Sequence, residues 1–253
     1  LQHYFFPTAQ SEQDNRVIVV SDKGYRAQQP IALMTNVIPE LHLSASTDAH
    51  QCFPFYVYDE DGENRYENIT DWALDQFRQH YNDDTISKWD IFYYVYGLLH
   101  HPEYRERYAD NLKRELPRIP FAPSAFRVFA DAGKQLADLH LHYESVDRYE
   151  LGWETKEGVP TSFRVEKMRP KNKRDAQDGT YKVYDTLQYN DTLTLTGIPE
   201  EAFGYRLGNR SALDWVVEQY QVKTDKRSGI TSDPNGYSDD EQYIVQLVER
   251  VIT

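Results

Sequence analysis

The apolar positions change period three times along the chain. Up to about residue 60 they come in short runs between turn residues: Arg16–Val20 ahead of the Ser21–Gly24 turn signal, then Ile31–Met34 and Phe53–Tyr58. Such runs, rich in β-branched and aromatic residues, predict strands. From Thr70 the spacing turns helical. Trp72, Leu74, Phe77 and Tyr81 form one stripe behind a Thr70 cap. Ser87 caps a second helix containing Ile91, Phe92, Val95, Leu98 and Leu99. Pro102 opens a third that runs to Leu116, and Ser124 caps a fourth reaching about Tyr143. From about 147 to 197 alternation returns, at Phe163–Met168, Tyr181–Asp185 and Thr192–Thr196. Two helices close the chain, Ser211 to about Val222 and Asp239 to Val251, on either side of a polar loop at Ser228–Ser238.

This order of segments predicts an α+β fold: a helical middle flanked by a β-rich N-terminal segment and a second β-rich segment, with helices at the end. It divides the chain at about residue 144. Residues 1–144 form a mostly helical scaffold with N-terminal strands, and 145–253 form a β-rich part with closing helices. With 20 tyrosines and 40% hydrophobic residues the chain has ample material for a packed core, which excludes wholesale disorder.

Cys52 is the single cysteine, so no internal disulfide forms, and a reducing cytoplasm suits it. No apolar run approaches the roughly 20 residues of a membrane span, and no secretory signal opens the chain. The first residue is Leu1 and not a methionine, which leads us to expect that the natural protein extends upstream.

The common catalytic signatures are missing. There is no GxxxxGK[ST] phosphate loop, no GxGxxG after a strand, no Asn/Asp-Pro-Pro-aromatic tetrapeptide and no GxSxG elbow. Glu154-Thr-Lys156, with Asp147 upstream, contains the Glu-x-Lys half of a metal-dependent nuclease site. In an alternating charged strand it reads more simply as a solvated face. His100-His101 and His140-x-His142 are spaced one and two residues apart. Such pairs do not share a helix face, so neither chelates a metal from one helix. His42, His50 and Cys52 lack an evident fourth ligand and read as packing or turn residues. No catalytic, cofactor or metal residue is assigned.

A net charge of −13 argues against a nucleic-acid partner only if positive charge is spread evenly. It is not. Arg164, Lys167, Arg169, Lys171, Lys173 and Arg174 fall within eleven residues, opposed by Glu166 and running from the expected strand into a Pro170 turn. Such an edge can enter a DNA groove while its ends hold phosphates. It can equally be a solubilising hairpin tip. A second group, Lys223, Lys226 and Arg227, follows Gln221 at the end of the first closing helix. Gln can pair with adenine and Arg with guanine. Asn209 and Arg210 stand at the start of that helix, where backbone N–H groups favour an anion, although Ser211 alone suffices as the cap.

Longer motifs carry a family resemblance. Asn36–Leu43, Gln51–Pro54, Asp90–His100, Tyr104–Tyr108, Leu116–Phe121, Gly208–Leu213 and Trp215–Asp225 together resemble the C-terminal specificity (target-recognition) region of Type ISP restriction-modification enzymes. In these single-chain proteins a nuclease, a helicase-like ATPase and an adenine methyltransferase precede that region. The resemblance runs from about residue 16 to the end and is weakest over 145–200. It implies sequence-specific recognition of double-stranded DNA, and docking onto an upstream methyltransferase domain. It also implies S-adenosylmethionine, ATP and Mg2+ as cofactors of the parent and not of this region. No family motif assigns individual base contacts, so the twelve residues above rest on charge and position. The rival reading is a coupling domain that binds the methyltransferase without reading DNA. A third is an autonomous nuclease built on Glu154 and Lys156.

Overall fold

The computed structural model of the protein describes residues 4–22, 30–39, 49–123 and 125–253. The fold is α+β, and the chain divides into two compact units, Leu1–His142 and Tyr143–Thr253.

In the first unit a short helix α1 (Ala9–Asp14) precedes β1 (Val17–Ser21), β2 (Ala32–Thr35) and β3 (His50–Pro54). These strands make an antiparallel sheet in the order β2-β1-β3. β1 is buried along its whole length. Ile18 and Val20 face the main core, while Val17 and Val19 pack with Phe6 on the other side. Burial on both faces is why this run is continuously apolar and does not alternate. The run expected as one strand over Phe53–Tyr58 divides after Pro54, and its second half, β4 (Tyr56–Tyr58), pairs with β5 (Arg65–Glu67). Phe55, at the break, is fully buried and stacks on Trp89 with ring centroids 3.6 Å apart.

The helices follow: α2 (Asp71–Tyr81), α3 (Lys88–His100), α4 (Pro102–Arg107), α5 (Ala109–Leu112) and α6 (Phe126–His142). The caps expected at Thr70 and Ser87 are made: Thr70 accepts from the Ala73 N–H, and Ser87 forms a reciprocal box with Asp90. The third helix is shorter than expected and breaks at Tyr108, whose backbone (φ −109°, ψ 17°) leaves the helical region. The cap expected at Ser124 lies outside the described residues. So do Lys23 and Gly24 of the expected turn, and Glu40–Leu43 of the first family motif, His42 among them.

α3 and α6 touch backbone to backbone. A Cβ on Gly133 would sit 1.9 Å from the Tyr93 carbonyl oxygen, and one on Gly97 would sit 2.4 Å from that of Phe129. Only hydrogen fits at this crossing. The proline-rich segment after α5 has few N–H groups of its own, yet its carbonyls still need donors. Three tyrosines provide them. Tyr104 donates to the Arg118 carbonyl, Tyr94 to Pro120 and Tyr81 to Ala122, at 2.8, 2.6 and 3.0 Å. The Tyr94 hydroxyl also accepts from the Ala122 N–H at 2.9 Å.

The same crossing brings two histidines together across helices, which spacing within one helix does not reveal. The His100 and His140 rings lie 5.6 Å apart. His140 Nδ1 meets the Tyr96 hydroxyl, and the His100 nitrogens meet the carbonyls of Tyr96 and Ala32 at 2.9 and 3.1 Å. Burial pulls both imidazoles down to about 4; the neighbouring ring adds to the effect at His140, while the two carbonyls oppose it at His100.

The second unit contains β6 (Gly152–Thr155), β7 (Arg169–Lys171), β8 (Arg174–Asp175), β9 (Lys182–Val183), β10 (Thr186–Gln188), β11 (Leu193–Thr196), β12 (Arg206–Leu207) and β13 (Arg210–Ser211). Helix α7 (Ala212–Gln219), the hairpin β14 (Lys223–Thr224) and β15 (Thr231–Ser232), and helix α8 (Tyr243–Ile252) complete it. Its principal sheet is antiparallel, in the order β6-β11-β10-β7. Leu187, Leu193 and Leu195 point from the two central strands into a core shared with Ile244, Val245, Val248 and Ile252 of α8.

The strand expected at Phe163–Met168 does not form. Its backbone is bonded instead by distant side chains. Asn235 accepts from the Val165 N–H and donates to the Val165 carbonyl, both at 2.8 Å. Asn190 donates to the carbonyls of Ser162 and Arg164, and Tyr189 to that of Phe163. Pro170 is not a turn residue but the middle of β7, an edge strand, where a missing N–H costs no ladder bond. The turn comes two residues later at Asn172, with φ +52°. The strand expected at Tyr181–Asp185 shrinks to β9. The closing helices are also shorter than expected, ending at Gln219 and starting at Tyr243.

Two outcomes test this packing. Gly133→Ala forces the helices apart and costs about 2 kcal/mol or more, read as a lower urea midpoint. For the histidines, a folded-state value below the ordinary 6.5 means that the unfolded chain binds more protons as pH falls from about 6.5 towards about 4. Stability is therefore present above that window and lost on descending through it. Urea midpoints should drop between pH 7 and pH 5, and replacing His140 with leucine should shrink that drop.

Candidate nucleic-acid interface

Antiparallel register sorts the second unit's sheet into two faces. Leu187 lies opposite Pro170 and Leu195, and Leu195 opposite Trp153, all on the core side. Side chains alternate along a strand, so the intervening residues occupy the outer face. They form two rows across the four strands. One runs Lys171, Thr186, Thr196, Gly152; the other runs Arg169, Gln188, Thr194, Glu154. Every side chain in these rows is polar. The basic end is β7 and the acidic end is β6.

The core side is anchored by a buried carboxylate. Glu249 of α8 is 4% exposed and accepts from the Trp153 indole N–H at 2.8 Å. Its second oxygen faces Arg148 at 3.6 Å. The Glu249 carbonyl also accepts from the Tyr149 N–H, which ties the approach to β6 onto α8.

The twelve expected contact residues all lie in this unit, but their charges are not equally available. Arg164 sits between two carboxylates, Glu166 and Asp233, each at 2.8 Å. The Arg164 guanidinium, followed by Asn235, holds the Asp233 carboxyl below the usual range. Arg174 pairs with Glu200 at 2.7 Å. Glu200 is held low by the Gln177 N–H first and Arg174 second.

Arg210, in β13 and not at an open helix start, pairs with Glu218 at 2.9 Å. Ser211 caps α7 by accepting from the Asp214 N–H. Gln221 and Lys223 both donate to the Glu218 carbonyl, at 2.6 and 2.8 Å, closing the C-terminus of α7. Arg210, Gln221 and Lys223 thus converge on one residue. The Asn209 carbonyl accepts from Arg206.

Lys167, Arg169, Lys171, Lys226 and Arg227 are exposed, and their side chains make no ion pair among the described residues. Lys173 is exposed as well and lies 5.9 Å from the Tyr184 ring centroid. Lys226 and Arg227 occupy the tip of the β14–β15 hairpin, where the Asp225 carboxylate accepts from the Arg227 and Ser228 N–H groups.

Thr186, Gln188, Thr194 and Thr196 were not among the expected contacts. The Thr192–Thr196 alternation marks its strand, but β10 is three residues long and carries little periodic signal. Glu154 lies on the outer face at the acidic end of its row, with Lys156 beyond the strand. Among the described residues no group of three His, Cys, Asp or Glu side chains is placed to hold a metal. No helix among them is long and apolar enough to cross a membrane.

A model of the Type ISP C-terminal specificity domain family matches residues 2–247, and the chain belongs to that family. Three solved structures are similar over most of the chain. The first is a nuclease-deletion mutant of the Type ISP restriction-modification enzyme LlaGI in complex with a DNA substrate mimic. It is 35% identical with a TM-score of 0.78, over 99% of this chain and 21% of that one. The second is a DrdV–DNA complex, 39% identical with a TM-score of 0.82, over 99% of this chain and 24% of that one. The third is the ATP-dependent Type ISP restriction-modification enzyme LlaBIII bound to DNA, 35% identical with a TM-score of 0.77, over 94% and 15%. The chain therefore spans about a quarter or less of each of these proteins. No curated protein matches it.

The Glu249 anchor gives a test of the platform. Glu249→Ala leaves the partly buried Trp153 indole N–H without an acceptor and should cost about 1 kcal/mol. Glu249→Gln keeps an acceptor and should cost less, so denaturant midpoints should rank wild type, Gln, Ala.

Proposed function

We propose that this chain is the DNA target-recognition module of a Type ISP-like restriction-modification enzyme. One observation carries the reading: the chain belongs to the Type ISP C-terminal specificity domain family, and relatives of the same fold have been solved with DNA. The basic edge of the second unit's sheet supports it. Lys167, Arg169, Lys171 and Lys173, with Lys226 and Arg227, present charge that no carboxylate in the described residues takes up. Exposed ion pairs are worth little, so Arg164, Arg174 and Arg210 reach phosphates by exchanging one anion for another. The acidic remainder repels the duplex and confines contact to this edge.

The module positions an upstream adenine methyltransferase and helicase-nuclease in the cytoplasm. The parent draws on S-adenosylmethionine, ATP and Mg2+ for that chemistry, and this chain supplies no catalytic group. Residues 145–253 do the reading, and residues 1–144 form the scaffold and the coupling surface. A second reading, docking onto the methyltransferase without contact to DNA, has its own support in the first unit. Trp72 and Val128 there are 72% and 70% exposed, apolar side chains that a docked partner would cover.

Duplex binding at several salt concentrations separates the two readings. Reversing Lys171, Lys173 and Arg174 to glutamate should weaken binding and flatten the salt dependence by roughly one unit of slope per lost phosphate contact. Unchanged affinity and slope would remove this edge from the interface. No duplex binding by the wild type, together with binding to the methyltransferase domain, would establish the docking reading.

A further inference from the structure

The outer row Arg169, Gln188, Thr194, Glu154 has an unusual property. None of its four side chains makes a hydrogen bond or ion pair among the described residues. The neighbouring row differs, since Thr186 donates to Asp185 and Thr196 to the Gly152 carbonyl. Arg169 also differs from Arg164, Arg174 and Arg210, each of which has a carboxylate partner. Arg169 and Gln188 are direct register partners in an antiparallel pair, which places their Cβ atoms about 5 Å apart. Arg169 is exposed and Gln188 half-buried.

We infer that Arg169 and Gln188 are a specificity-determining pair that reads two neighbouring base pairs in the major groove, Arg169 a guanine and Gln188 an adenine; this rests on the DNA-reading function proposed above. The geometry supports it in three ways. A separation of about 5 Å suits side chains that converge slightly onto steps rising about 3.4 Å along the duplex. A major groove about 12 Å wide admits a two-stranded ribbon. The full four-stranded row, three spacings of about 4.8 Å, is wider than that. The β7–β10 edge therefore enters, while the β6 edge, whose Glu154 carboxylate the phosphates repel, stays outside the groove. The chemistry also fits. A guanidinium offers two parallel donors to guanine O6 and N7, and a carboxamide offers a donor and an acceptor to adenine N6 and N7. Side chains already paired within the protein must first give up a partner to offer the same groups. Lys171, Lys167 and Lys173 then flank the ribbon as phosphate contacts, which orient it without reading sequence.

The test is selection from a pool of randomised duplexes by the wild-type chain and its variants, with sequencing of the bound fraction. Wild type should enrich a motif containing adjacent guanine and adenine positions. Gln188→Ala should relax the adenine position about tenfold and leave the rest of the motif intact, as expected for loss of one bidentate contact. Arg169→Ala should relax the guanine position in the same way. Gln188→Glu, nearly isosteric, guards against a folding defect and should shift the adenine position towards cytosine, whose N4 amine donates to a carboxylate. Retention of the full motif by all three variants overturns the inference. So does a uniform loss of affinity across all sequences, which is the signature of phosphate contact. In both cases a wild-type motif would leave the recognition function standing. If wild type binds duplex but enriches no motif, the recognition function fails and this inference fails with it.

Discussion

The second unit depends on three leucines that cannot leave the core. Leu187 in β10, and Leu193 and Leu195 in β11, are each at most 1% exposed beneath α8. Burying side chains of this size is worth roughly 1.5–3 kcal/mol apiece. Because strand side chains alternate, that burial also decides where Thr186, Gln188, Thr194 and Thr196 point. A slip of one residue would expose the leucines and bury a row of amides and hydroxyls, an exchange unfavourable in both directions. The buried Glu249 carboxylate, accepting from Trp153, holds β6 and α8 in the same register. The polar face of the sheet is thus the obligatory reverse of its core face.

The first unit solves a different problem. Its α3–α6 crossing is tight because Gly97 and Gly133 remove the side chains that would hold the helices apart. That closeness buries the side chains around the crossing, and burial sets the behaviour of His100 and His140. It also leaves a proline-rich segment whose carbonyls must find donors, and tyrosine hydroxyls on α2, α3 and α4 supply them. Part of the chain's richness in tyrosine has this cause: an aromatic body fills the core while the hydroxyl reaches the backbone.

Charge in the second unit follows one pattern. Arginines near an acidic neighbour are tied to it, as Arg164, Arg174 and Arg210 show. Most of the cations left over lie on β7, in the segments on either side of it, and at the β14–β15 tip. An acidic protein can therefore carry a small basic edge.

Much of this was determined by the sequence alone. The caps at Thr70 and Ser87, the helical stripes behind them and the buried β1 run are local features, and local spacing encodes them. The family resemblance was legible because its motifs are long. The clustering of Lys167 to Arg174 was legible because it is a matter of composition. What tertiary structure decided is what depends on distant partners. Asn235 takes up the backbone of Val165 from 70 residues away, so an alternating segment is not a strand. Asp233, Glu200 and Glu218 neutralise three arginines that spacing presents as free. His100 and His140 meet only because two helices cross. Above all, Gln188 faces Arg169 only through the pairing of β10 with β7, because a three-residue strand has no period of its own and takes its face from the sheet that closes around it.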